Sequence, residues 1–214
     1  MTEIKICGLR TADHALAAAE AGATMLGFIF APARRQVQPR EVAAIGQALR
    51  ASGLPLPQLV GVFVNTSAEQ MLAQARACGL GALQLSGDEP VALAEQLAGL
   101  PVLKAIRFDG SAAEQDWIDC ELPNVRLVVD AHVPGAYGGA GVTADWDAAR
   151  ALAARRPIVL AGGLSPANVA DAIRHVQPWG VDVSSGVETD GVKDIAKIRA
   201  FAHAARAVFS EPSP

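Results

Sequence analysis

Glu3-Ile4-Lys5-Ile6-Cys7-Gly8-Leu9-Arg10-Thr11 opens the chain with a strand, a turn and the cap of a helix. Ile4 and Ile6 alternate with Glu3, Lys5 and Cys7, the period of a strand whose two faces meet different surroundings. The two isoleucines are expected against helices, and Glu3, Lys5 and Cys7 toward an interior axis. Thr11 suits a helix N-cap, with Asp13 in the first turn. The turn Cys7-Gly8-Leu9-Arg10 stands where an open dinucleotide-binding sheet would carry GxGxxG.

The same alternation of strand and Ala-rich helix runs through the chain. Strands are expected to start near Glu3, Thr24, Gln58, Ala82, Val102, Arg126, Ile158 and Val181, roughly 25 residues apart, enough for one strand, one helix and two loops. Ser67-x-x-Gln70 and Ser111-x-x-Glu114 read as capping boxes. Pro39, Pro90 and Pro166 suit first helical positions, the last after a capping Ser165. Eight βα units without a composition break imply an α/β fold, a single (β/α)8 TIM barrel over residues 1–209, with 210–214 as a disordered tail. Chemistry is then expected at the C-terminal ends of the strands and in the loops that follow.

Composition narrows the function classes. With 214 residues, 51% hydrophobic and 19% charged, the chain can bury a large core and is not a disordered polymer. A formal charge of −4 argues against a nucleic-acid partner. The longest apolar runs fall short of the ~20 residues of a spanning helix, and the N-terminus lacks a signal-peptide apolar region, so no membrane partner is expected. Cys7, Cys78 and Cys120 are scattered, and His14, His132, His175 and His203 lack ligand spacing. No disulfide framework, metal site or cofactor is expected, and the reducing cytoplasm is the natural compartment.

Cys7 tops the first strand on its inward face. A cysteine there is either a small apolar core residue or, given the thiolate available near neutral pH, a base. Asp130 tops strand six after Arg126-Leu127-Val128-Val129 and shares the face of Val128. A carboxylate at the end of an apolar strand needs a partner or a site. Leu160-Ala161-Gly162-Gly163-Leu164-Ser165 and Val181-Asp182-Val183-Ser184-Ser185-Gly186-Val187-Glu188 follow strands seven and eight. Together these loops suit phosphate, held by backbone N–H groups that glycine lets approach closely, with a sugar phosphate as the ligand class. Pro134-Gly135-Ala136-Tyr137-Gly138-Gly139-Ala140-Gly141 is either a surface turn or a mobile cover. Of Arg34-Arg35, one is suited to fork onto a substrate carboxylate.

These segments, with Gly61-Val62-Phe63-Val64-Asn65 and Gln84-Leu85, resemble the phosphoribosylanthranilate isomerase family of tryptophan biosynthesis along nearly the whole chain. The resemblance implies a (β/α)8 barrel without cofactor or metal, a monomer or homodimer acting on a small phosphosugar. The implied reaction is an Amadori rearrangement of N-(5-phosphoribosyl)anthranilate to a carboxyphenylamino-deoxyribulose 5-phosphate. It implies Cys7 as general base and Asp130 as general acid. Arg35, Gln84 and Asp182 would then bind the rest of the substrate, with Gly162, Gly163, Ser184, Ser185 and Gly186 at its phosphate.

Three positions depart from the family pattern: Ser86 where histidine is common, Gln36 where an aromatic is common, and Ala140-Gly141-Val142 after the YGG run. The aminoaldose isomerase of histidine synthesis would carry an acid at Cys7, and a pentose-phosphate epimerase would show metal-binding histidines. A non-catalytic phosphosugar-binding barrel would lack one of the acid–base pair.

Overall fold

The structure, a computed structural model, describes residues 2–97, 99–130 and 145–208. Eight parallel strands close into a barrel in chain order: β1 (Glu3–Cys7), β2 (Met25–Ile29), β3 (Gln58–Phe63), β4 (Ala82–Leu85), β5 (Val102–Ile106), β6 (Val125–Val129), β7 (Ile158–Leu160) and β8 (Gly180–Val183). β8 returns to β1 with Ile4 opposite Val181 and Lys5 opposite Asp182. This is the TIM barrel expected from the alternation. Each strand begins at or within one residue of its expected position.

The helices α1 (Ala12–Glu20), α2 (Pro39–Ala51), α3 (Ala68–Cys78), α4 (Val91–Gln96), α5 (Ala112–Ile118), α6 (Trp146–Ala153), α7 (Val169–Val176) and α8 (Ile195–Ala207) follow the strands in turn. A small antiparallel hairpin, β9 (Glu188–Thr189) and β10 (Val192–Lys193), is inserted before α8.

Local chemistry sets the helix starts. Thr11, Ser67 and Ser111 accept from the backbone N–H groups of His14, Gln70 and Glu114. The expected capping boxes are only half formed: Ser111 N donates to Asp109 at 2.8 Å, and the Glu114 carboxylate accepts from Arg107 N at 2.6 Å. Pro39 is the first residue of α2, where Gln38 and Glu41 form a capping box. The other two prolines differ from expectation. Pro90 lies outside α4 as its N-cap. Pro166 lies in a turn, and α7 begins at Val169 after Asn168. Asn168 Oδ1 accepts from Ser165 N at 2.8 Å and its Nδ2 donates to Gly163 O at 3.0 Å, a local closure that competes with an earlier helix start.

The strands separate two apolar regions. Ile4, Ile6, Leu26, Phe28, Leu83, Leu85, Leu127 and Val129 face the helices. Met25, Val60, Ala82, Leu103, Val128 and Val159 form a second cluster inside the barrel. Period 2 then carries Cys7, Gln84 and Asp182 inward at the C-terminal ends of their strands, where they line a cavity. Among the described residues no helix is long and apolar enough to cross a membrane.

Candidate active site

The cavity at the C-terminal mouth measures about 400 Å³. Cys7, Arg35, Gln84, Asp130, Gly162, Gly163, Asp182, Ser184, Ser185 and Gly186, the full set of candidates from the sequence, all line it. His132 and Tyr137, with the rest of the glycine-rich stretch 134–141, lie outside the described residues. So does the tail 210–214.

β1 carries Cys7 to the mouth with 6% of its surface exposed. Gly27 of β2 makes room for it, since a Cβ there would sit 2.7 Å from Cys7 Sγ. Burial pushes the Cys7 thiol up; Lys5 and Lys193 pull it down and Asp182 adds to the rise, leaving it above its ordinary value. Asp130 follows β6 directly, its N–H donating to Ile106 O at 2.9 Å. Its β6 register aims it inward with Val128, as the alternation implied.

Arg35 comes from the loop after β2. Its Nε donates to Glu188 Oε1 at 2.6 Å and one Nη to Glu188 Oε2 at 2.9 Å. Gly8 lets the arginine stem pass, because a Cβ at Gly8 would lie 2.6 Å from Arg35 Cδ. Glu188 also receives Arg34 and Lys193, each at 2.8 Å. Burial alone would raise the Glu188 carboxyl, but hydrogen bonds and charge from Arg35 and Lys193 hold it down at about 2. Lys193 in turn donates to Ser184 O at 2.7 Å, tying the hairpin to the loop after β8.

That loop makes one turn of 3₁₀ helix from Ser185 to Val187. A Cβ at Gly186 would run into the Leu164 carbonyl, so this position brings the loops after β7 and β8 together. Gly162 and Gly163 have φ of 80° and 65°, the left-handed region that glycine adopts freely. Asn168 Nδ2 donates to the Gly163 carbonyl and so braces the loop after β7.

Gln84 Nε2 donates to Ser86 Oγ at 3.1 Å. Ser86 therefore orients Gln84, and Arg107 Nη2 donates to the Ser86 carbonyl at 3.3 Å while lining the same cavity. Buried Gln84 Oε1 and Asp182 Oδ1 have no hydrogen-bond partner among the described residues. Two buried acceptors on opposite sides of one cavity, from β4 and β8, suit a ligand that brings hydroxyl or N–H donors. Among the described residues, no group of three or more His, Cys, Asp or Glu side chains is placed to hold a metal ion.

The family model described as N-(5'phosphoribosyl)anthranilate (PRA) isomerase matches residues 4–204. The chain belongs to the PRA isomerase family. An N-(5'-phosphoribosyl)anthranilate isomerase of Roseiflexus sp. (strain RS-1) is 60% identical over 210 residues, covering 97% of this chain and 99% of that protein. The crystal structure of the isomerase from Thermotoga maritima superposes with a TM-score of 0.85 at 35% identity, covering 97% of this chain and 100% of that one. A PRA isomerase solved in complex with reduced 1-(o-carboxyphenylamino)-1-deoxyribulose 5-phosphate gives a TM-score of 0.81 at 33% identity, with the same coverage.

Glu188, Lys193, Lys5, Arg107 and Asn168 join the site through contacts that the sequence pattern does not reveal. Lys5 carried a signal in its inward register on β1. Glu188 and Lys193 act through contacts between separate loops, which no local spacing reveals.

Proposed function

We propose that the cavity carries out the isomerisation for which the family is named, with Cys7 as general base and Asp130 as general acid. Asp130 gives its proton to the furanose ring oxygen of N-(5-phosphoribosyl)anthranilate as the C–O bond breaks, and the anilino nitrogen supplies the electron pair that forms an iminium. Cys7 then takes the proton from C2, and that C–H pair becomes the C1–C2 double bond of an enolamine. Protonation at C1 and loss of the C2 hydroxyl proton give the ketone. The sequence of steps consumes no oxidant and no net proton.

The observation that carries this reading is that Cys7, at the end of β1, and Asp130, just after β6, line one cavity that also holds the two glycine loops. Positioned proton transfer of this kind contributes about 10²–10⁴-fold per group. Arg35, held from behind by Glu188, presents guanidinium to the anthranilate carboxylate. Gln84 Oε1 and Asp182 Oδ1 accept from the sugar hydroxyls and the anilino N–H. Backbone N–H groups of Gly162, Gly163, Ser184, Ser185 and Gly186 hold the phosphate.

We further propose that residues 1–209 form the working barrel, as a monomer or homodimer in the cytoplasm. Loss of phosphoribosylanthranilate fluorescence on adding purified protein tests the activity. Turnover in buffer without added metal is expected, and no turnover there would reject the reading.

A further inference from the structure

A base must be able to lose its own proton, and the surroundings of Cys7 oppose this through burial. One side chain beneath it works the other way. Lys5 is 0% exposed, the most deeply buried charged residue among those described. Its Nζ donates to Asp182 Oδ2 at 2.8 Å. An ammonium has three N–H donors, and one carboxylate engages only part of that capacity. A buried cation so sparsely paired is costly unless a second anion shares it.

Lys5 and Cys7 are two residues apart on the inward face of β1, and each favours the charged form of the other. Burial alone would lower the Lys5 ammonium, but Asp182 and Cys7 together hold it above its ordinary value. The other charged groups near Cys7 have different engagements. Lys193 from β10 holds Glu188 and Ser184, and Arg35 holds Glu188. Arg107 and Asp130 line the cavity from the ends of β5 and β6, and Gly27 of β2 contributes no charge.

We propose that Lys5 is the positioning residue that makes Cys7 a base: its ammonium, anchored on the Asp182 carboxylate, is the counter-ion of the Cys7 thiolate. The thiol proton leaves to solvent while Lys5 keeps its own. The inference rests on Cys7 being the base, but the coupling itself exists without substrate and is measured without turnover.

The test is the pH dependence of iodoacetamide alkylation of the substrate-free protein, read by mass spectrometry at the Cys7 peptide, with Cys78 and Cys120 as internal controls. Lys5→Met is expected to raise the titration of Cys7 by at least about one unit, slowing alkylation ~10-fold at a pH below both midpoints. Asp182→Asn removes the competing anion and is expected to act in the opposite sense, lowering the midpoint and speeding alkylation. Loosening of a purely structural ion pair would move both variants in the same direction, and that result overturns the proposal, as does an unchanged Cys7 profile. If Lys5→Met does not fold, Lys5→Gln, polar but uncharged, decides in its place: a raised Cys7 midpoint supports the coupling, and an unchanged or lower one overturns it. Full turnover by Cys7→Ala would instead reject the base role, leaving the alkylation profile to report the coupling.

Discussion

Arg35 and Glu188 form a two-point ion pair between residues 153 apart in sequence, with Nε 2.6 Å from one carboxylate oxygen and an Nη 2.9 Å from the other. The pair fixes the plane of the guanidinium at the cavity wall, and Lys193 links the same carboxylate to Ser184. Glu188→Gln keeps the shape but removes the charge that orients Arg35 and Lys193 and pairs with Arg34. Such charge-assisted bonds are worth about 1.5–3 kcal/mol each, so kcat/KM is expected to fall at least ~10-fold, mostly through KM. Steady-state kinetics check this, and an unchanged KM would show that Arg35 needs no anchor.

The same carboxylate sets an acid limit on stability. Its folded value of about 2 lies below its ordinary 4.5, so its contribution is complete above about pH 4.5 and is lost as pH falls toward 2. Melting temperature measured from pH 5 to pH 2 is expected to fall less steeply in Glu188→Gln than in the unmodified protein. Parallel curves would assign the acid limit to other groups.

The barrel was legible in the sequence because each unit repeats a short apolar strand, a turn and a capped helix; Ser67 and Ser111 do cap, but the reciprocal arm of a capping box is missing at Ser111, where Glu114 serves Arg107 N instead. The inward faces of Cys7 and Asp130 followed from period 2 alone. The contacts that tune the site were not legible, because they join distant segments. Lys5 meets Asp182 only through the closure of β1 on β8, and Glu188 meets Arg35 through the β9–β10 hairpin. Pro166 was misplaced for a related reason: Asn168 closes a turn whose partners, Ser165 and Gly163, serve the loop rather than the helix.

Gly186 packs against the Leu164 carbonyl where no side chain fits. Gly186→Ala is expected to push apart the loops after β7 and β8 and misplace the N–H groups proposed to hold phosphate. Losing one charge-assisted bond corresponds to roughly 10–100-fold weaker binding. Inorganic phosphate as a competitive inhibitor gives the readout: its inhibition constant should rise with KM, and a constant equal to that of the unmodified protein would exclude these loops from the phosphate site.

Arg156, away from the cavity, donates to the carbonyls of Trp117, Ile118 and Cys120 at 2.9–3.2 Å, satisfying the C-terminal end of α5. Arg156→Ala should destabilise the fold by about 2–4 kcal/mol in urea unfolding, with turnover per folded molecule unchanged. A loss below about 0.5 kcal/mol would mean that water replaces the guanidinium at no cost.

The assignment of the proton acceptor is tested most directly by single-turnover decay of phosphoribosylanthranilate fluorescence with enzyme in excess, comparing Cys7→Ala with the unmodified protein. The substituted side chain stays small and apolar, so the barrel is expected to remain folded by circular dichroism. The expected result is a decay rate at least ~10²-fold slower. A rate equal to that of the unmodified protein would contradict the role of Cys7 as the base.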